Sequence, residues 1–316
     1  MSAGAVDVAT PATGKTAAAA PKGTDRPPGQ SDLKMALVFI LPALIGFVVF
    51  YVYPSIRGFY FSLTRYSLLG TPKFIGFDNY VRMAGDKLFW NSLVVTLQYV
   101  GINIVGQTIL AVGIAVLMHR LTKSTLVRAL ILLPFLISNV IAALLWFWLL
   151  DYQIGLVNEV MANLGLNRVT FFGGTDTAIP TIAFVNIWRH MGYTALLVFA
   201  GLQTIPDYVY EAASVDGSTE WRSFWRITLP LLRPILALVL VITVTGSFQV
   251  FDTVAVTTRG GPENASRVIQ YYIVQKGFAE SQFGYASAIS VVLFVILAAV
   301  ALFQLKVLRA GDSDLS

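Results

Sequence analysis

The 316-residue chain has no cysteine, which excludes disulfides, thiolate chemistry and cysteine-ligated metals. Its two histidines, His119 and His190, lie far apart in sequence and give no basis for a histidine-rich metal site. Charge is also scarce: Asp, Glu, Lys and Arg make up 12% of the residues, against about a quarter in an ordinary soluble domain. A nucleotide site is missing too. Gly14-Lys15-Thr16 looks like the end of a phosphate-binding loop, but the first glycine of that loop would fall at Ala9 and no strand precedes it. Residues 1–33 contain no apolar run and cannot serve as a secretory signal. Rich in Ala, Pro, Thr and Gly, they are expected to form a disordered tail.

Apolar sequence is abundant instead, with 56% hydrophobic residues and a mean hydropathy of +0.70. Runs of about 20 apolar residues are long enough to cross a bilayer. They predict spans over 36–53, 92–118, 129–150, 178–202, 235–256 and 286–305. The net charge of +5 fits cytoplasmic loops beside such spans better than a nucleic-acid partner. The short loop 119–128 carries Arg120, Lys123 and Arg128 and no acid, so it is placed in the cytoplasm, and with six spans both termini join it there. The expected organisation is a cytoplasmic tail over 1–33, a transmembrane region over 34–310 and a short cytoplasmic tail over 311–316.

Residues 211–231, EAASVDGSTEWRSFWRITLPL, hold five charged side chains between two apolar spans. Pro206 and Asp207 suit a helix start, and Gly217 permits the left-handed conformation that ends a helix. Ser218 is then placed to cap a second helix through Trp221, Phe224, Trp225 and Ile227 towards Pro230. Taken alone, this is either an interfacial helix lying among headgroups or a docking element whose small face, Ala212, Ala213 and Gly217, lets a partner approach. The spacing of Glu211-Ala212-Ala213, Gly217, Ile227, Leu229 and Pro230 resembles the signature loop of the membrane subunits of binding-protein-dependent ABC importers. Phe251-Asp252 followed by Thr258-Arg259-Gly260-Gly261-Pro262 resembles a stretch of the carbohydrate-uptake branch, on the side of the larger maltose permease subunit. The likeness extends over about residues 35–310.

That resemblance implies an all-α membrane protein of six transmembrane helices with a cytoplasmic coupling-helix loop over 204–231, of the type I importer permease kind. It implies no enzyme activity and no cofactor in this chain. ATP and Mg would be bound by two separate ATPase subunits, which Glu211, Ala212, Ala213, Asp216, Gly217, Ile227, Leu229 and Pro230 would engage. A second homologous permease subunit and an extracytoplasmic sugar-binding protein complete the assembly in a bacterial cytoplasmic membrane, with Gly260, Gly261 and Pro262 where the binding protein docks. Positions matching the family's sugar site are Phe135, Asn139, Asn186, Trp188, Arg189, His190, Tyr193, Thr243, Gly246 and Ser247. Arg189 and His190 depart from the family's residue types there.

Read from the residues themselves, Asn186, Arg189, His190 and Tyr193 share one helix face, and a charge within a span invites a functional reading. Arg189 has four candidate roles: to line the pathway, to pair with an acid such as Asp252, to snorkel to an interface, or to hold the phosphate of a charged solute such as a glycerol phosphate. Asn139, Thr243 and Ser247 serve equally as helix–helix hydrogen bonds, and Gln98, Asn103 and Gln107 read as packing groups. An ATP-independent carrier using Arg189 and His190 as a proton relay is the remaining alternative.

Overall fold

The computed structural model describes residues 30–67, 70–121 and 124–308. By its internal contacts the chain divides into a unit ending at Pro54 and another beginning at Ser55. The first is helix α1, Gln30–Phe47, continued by a π-helical turn over Val48–Val52. From Leu37 onward its apolar side chains point outward, Phe39 being 79% and Phe50 76% exposed, as suits a helix whose solvent is hydrocarbon. Residues 30–33, expected in the tail, belong to this helix. The remainder of the expected 1–33 tail, with Gly14-Lys15-Thr16, and the 311–316 tail lie outside the described residues.

Helix α2, Tyr53–Ser62, leads to a two-stranded antiparallel hairpin, β1 Thr64–Arg65 and β2 Lys73–Phe74, and to α3, Asp78–Ala84. Then come α4, Lys87–Leu121, α5, Thr125–Leu136, α6, Asn139–Leu149, and α7, Leu156–Asn163. After α8, Ala178–Leu202, the polar loop folds as α9, Asp207–Val215, and α10, Glu220–Ser223. A π turn over Phe224–Thr228 joins α10 to α11, Leu229–Leu231, and α12, Arg233–Phe248. The last elements are α13, Asp252–Val256, α14, Ile269–Val274, and α15, Phe283–Leu308.

Among the described residues, five helices are long and apolar enough to cross a membrane, namely Leu37–Ser62, Lys87–Leu121, Ala178–Leu202, Arg233–Val256 and Phe283–Gln304. A sixth exists only as a broken pair, α5 and α6 meeting at 90°. The continuous span expected over 129–150 is therefore corrected. Pro134 sits inside α5 one turn before the break, and Ile137 and Ser138 are both extended, with ψ of 138° and 144°. Extended backbone at these two residues ends the hydrogen-bond ladder of α5 and lets α6 start in a new direction.

Helices α4 and α8 pack most extensively, through small residues that let backbones approach. A Cβ added to Gly106 would lie 2.7 Å from Ile187 Cδ1. One core cluster gathers Tyr99, Ile182, Tyr272 and Ile289; a second, beneath the 204–231 loop, gathers Ala111, Ala115, Ala195, Leu202 and Leu232.

Asp86, just before α4, ties three helices together. Its Oδ1 accepts from the N–H groups of Leu88 at 2.9 Å and Phe89 at 3.4 Å, and its Oδ2 accepts from the hydroxyls of Tyr272 at 2.5 Å and Tyr285 at 2.6 Å. Burial pushes this carboxyl up, but the two tyrosines and two backbone donors together outweigh it and hold the carboxyl below its usual 3.8. Asp86→Ala removes a helix cap and strands two hydroxyls, which is expected to cost about 1–3 kcal/mol, read as the thermal midpoint of the detergent-solubilised protein at pH 7. A depressed carboxyl contributes fully above its unfolded value and loses that contribution as pH falls through the folded value. The gap between wild type and variant should therefore close only below about pH 3.8; a gap unchanged into stronger acid would count against the cluster.

Candidate functional site

The break in the α5–α6 pair leaves backbone carbonyls without helical partners, and Arg189 of α8 supplies the donors. Its Nε donates to Ile137 O at 2.7 Å and its Nη2 to Phe135 O at 3.1 Å, while the guanidinium lies 5.3 Å from the centre of the Phe135 ring. Nη1 stands 2.9 Å from His190 Nε2. A guanidinium has no acceptor, so Nε2 accepts, and Nδ1 carries the proton donated to Asn186 O at 3.0 Å. His190 is thereby fixed as neutral imidazole with its proton on Nδ1.

Three residues on one α8 face set the α5–α8 contact. Arg189 holds the carbonyls, Gly192 lets α5 come close enough that an added Cβ would lie 2.0 Å from Ile131 O, and Tyr193 stacks on Phe135 with ring centres 4.6 Å apart and planes 12° apart. The spacing 189, 192, 193 is the helical repeat that puts all three on one stripe.

Beside this contact lies a cavity of about 310 Å³ between α4, α8 and α12, closed on one side by α13. Phe135, Asn139, Asn186, His190, Tyr193, Thr243, Gly246 and Ser247 line it, so eight of the ten positions expected at a solute site come together. Trp188 and Arg189 do not. Trp188 meets Trp146 edge to face at 5.4 Å, and the Arg189 donors are directed at backbone. Asn139 donates to Asp252 Oδ2 at 3.1 Å, so the acid suggested as a partner for Arg189 is bonded to an amide instead.

Asn103 and Gln107, read from the sequence as packing groups, do bond across helices, and both also line the cavity. Asn103 Nδ2 donates to Ser247 Oγ at 2.8 Å and to Gln107 Oε1 at 3.2 Å, and Gln107 Nε2 donates to Thr194 Oγ1 at 2.7 Å. Asn103 Oδ1 is buried and accepts no hydrogen bond among the described residues. Gln249 and Asp252, also unassigned as lining groups, complete the polar wall. Two stacked rings with several amides and hydroxyls can hold a molecule that combines apolar faces with many hydroxyl groups.

At the far end of α8, the 211–231 segment has the helix–turn–helix form expected of it. Gly217 takes φ of +69°. The N–H of Ser218 bonds Ala213 O at 2.9 Å and that of Gly217 bonds Ser214 O at 3.1 Å, the paired bonds that terminate a helix through a left-handed residue. The cap of α10 is Thr219, whose Oγ1 accepts from Arg222 N–H at 3.4 Å; Ser218, expected in that role, accepts instead from Ser223 Oγ at 3.0 Å. Ala213 is buried, so the small outer face consists of Ala212 and Gly217. Around it Tyr208, Val215 and Trp221 stand exposed, Val215 at 86%. An ion pair from Arg120 to Glu220 joins the end of α4 to this loop. Glu211 and Asp216 are exposed, and Ile227, Leu229 and Pro230 are half-buried.

In the last loop, Gly260 is buried with φ of +85°, and Gly261 and Pro262 are half-buried. Ser266 Oγ closes the turn through Thr258 Oγ1 at 2.7 Å and Gly261 O at 2.5 Å.

Residues 107–309 match the family model described as binding-protein-dependent transport system inner membrane component. The chain is 34% identical over 284 residues to the sulfoquinovosyl glycerol transport system permease protein SmoG of Agrobacterium fabrum, covering 89% of this chain and 92% of that protein. It is 32% identical over 280 residues to the trehalose/maltose transport system permease protein MalF of Thermococcus litoralis, covering 88% and 95%. Among solved structures it is similar, with a TM-score of 0.78 and 26% identity, to a chain of a bacterial ABC transporter involved in the import of the acidic polysaccharide alginate, covering 89% of this chain and 98% of that one. With its broken span, its polar cavity and its exposed helix–turn–helix loop, the chain belongs to the family of binding-protein-dependent transport system inner membrane components.

Proposed function

We propose that this chain is one of two permease subunits of an ATP-driven importer that carries a sugar, from a mono- to an oligosaccharide, across the bacterial cytoplasmic membrane. The observation that carries the reading is the cavity between α4, α8 and α12, where the stacked Phe135 and Tyr193 rings stand among the amides of Asn103, Asn139 and Asn186. The saccharides named for the relatives support the same substrate class. An extracytoplasmic binding protein delivers the sugar to the outward end, near Gly260, Gly261 and Pro262. Two separate ATPase subunits, which bind ATP and Mg, receive Ala212, Gly217 and the neighbouring exposed apolar side chains in a cleft. Both termini then lie in the cytoplasm with the loop. ATP binding draws the coupling loop inward and turns the cavity from one side of the membrane to the other, without changing any bond in the sugar.

The test is uptake of radiolabelled sugars by vesicles holding the chain with its candidate partner permease, ATPase and binding protein, comparing wild type with Gly217→Asp. A Cβ at Gly217 meets nothing within 4 Å in this chain. The substitution therefore costs the chain only the left-handed backbone, about 1–2 kcal/mol, while placing bulk and charge on the outer face. The expected result is ATP-dependent uptake by wild type and loss of more than about nine-tenths of it in a variant that still inserts, a rate drop worth about 1.4 kcal/mol. Uptake by the chain alone, without ATP and indifferent to the substitution, would refute the importer reading.

A further inference from the structure

The sign of charge in the cavity is opposite to what a lone intramembrane arginine suggests. Among the described residues lining it, Asp252 is the one with a formal charge. His190 also lines it, but the hydrogen bonds on its two ring nitrogens fix it as neutral. Arg189 is absent from the lining. Of its five N–H donors, one on each of its three nitrogens is already committed to Ile137 O, His190 Nε2 and Phe135 O. Its charge attracts that of Asp252, but without an ion pair between them, so the carboxylate remains available on the cavity side. Asn139 occupies Oδ2, and Oδ1 has no hydrogen-bond partner among the described residues.

We infer that this cavity selects solutes without an anionic group, with Asp252 as the specificity-determining residue and Arg189 as a positioning residue that keeps its guanidinium out of the site. The inference rests on the importer reading and names the substrate class within it: neutral sugars, not uronates, sulfonates or sugar phosphates. A hydroxyl donates to a carboxylate; a solute carboxylate or phosphate cannot. In a space of about 310 Å³ an anionic group has little room to move away from Asp252, and at that range repulsion in a partly dry site exceeds tenfold in affinity, to order of magnitude. Likeness does not set this sign, since the similar solved importer takes up an acidic polysaccharide and the relative SmoG is named for sulfoquinovosyl glycerol, whose sulfonate is anionic.

The experiment measures equilibrium binding to the purified importer with the binding protein omitted. It uses matched neutral and acidic probes: glucose with glucuronate, maltose with maltobionate, and trehalose with trehalose 6-phosphate. Wild type is expected to bind at least one neutral member, and its acidic counterpart more weakly by about tenfold or more. Asp252→Asn, nearly isosteric and able to keep the contact to Asn139, is expected to narrow that gap to about threefold, while Asp252→Glu preserves it. Where no probe binds measurably, the same ratios are read from ATP-driven uptake in vesicles. An acidic probe taken as readily as its neutral partner by wild type, or a gap that Asp252→Asn leaves unchanged, overturns the inference while the importer reading stands. Absence of both binding and ATP-driven uptake for every pair defeats the importer reading, and this inference with it.

Discussion

Gly192→Ala, the addition of one methyl group, is expected to abolish most solute uptake and to lower the thermal midpoint of the purified protein by several degrees. The new carbon would sit 2.0 Å from the carbonyl oxygen of Ile131 and 3.2 Å from Ile131 Cγ2. Backbone cannot rotate aside as a side chain can, so α5 must move away from α8. Overpacking of a tight contact costs about 1–3 kcal/mol and occasionally more; an overlap with main chain belongs at the upper end. Separation of the helices also pulls the Phe135 ring from Tyr193 and the carbonyls of Phe135 and Ile137 from Arg189, so the cavity wall changes shape. Gly113→Ala is the control, since its Cβ meets nothing within 4 Å, and there Ala favours the helix by about 0.5–1 kcal/mol. Equal melting and uptake for the two variants would show that α5 does not lie this close to α8.

Arg189→Leu should have an effect of similar size for a different reason. Two backbone carbonyls at the break lose charge-assisted donors, and a buried polar group left unsatisfied costs about 1–3 kcal/mol. Arg189→Lys should recover only part of this, because an ammonium is a point donor and cannot reproduce the planar fork that spans Ile137 O and Phe135 O. The useful readout is the pairing of two measurements. A clamp predicts that the melting temperature and the maximal uptake rate fall together, with Lys intermediate in both. A residue that bound solute directly would raise the half-saturating sugar concentration and leave melting unchanged, and that outcome would remove Arg189 from the break.

Much of the architecture was legible because hydrocarbon solvent imposes a simple pattern. Long apolar runs located the helices, and 178–202, although it contains Arg189, agrees with α8 at both ends. Gly217 announced its turn because few residues other than glycine take a positive φ there at low cost. The broken span was hidden by the uniform apolarity of 129–150: hydropathy reports solvent, not direction, and Pro134 is common enough in membrane helices to pass unnoticed. Asn103 and Gln107 were legible as packing groups, which their bonds to Ser247 and Thr194 make them, but a long apolar helix gives no sign that the same face also meets a cavity. Sequence placed Arg189 and Asp252 as possible partners because both are ionisable and rare in spans. Each is met instead by uncharged groups, a fact that depends on the bend. Asp86 was missed because its tyrosine donors come from 186 and 199 residues further along the chain.

The 90° break between α5 and α6 also has an electrical consequence. An unbroken helix carries its partial charges only at its ends, outside the hydrocarbon. Cutting it exposes two new poles within the protein, the negative carboxyl end of α5 and the positive amino end of α6. Arg189 sits on the first and Asp252, through Asn139, beside the second. Each half-buried ion thus meets a fixed half-charge of opposite sign, which makes two ionised groups tolerable at this depth without obliging them to neutralise one another. Straightening this helix would remove both poles together, so the break is what allows the cavity to keep a net charge of its own.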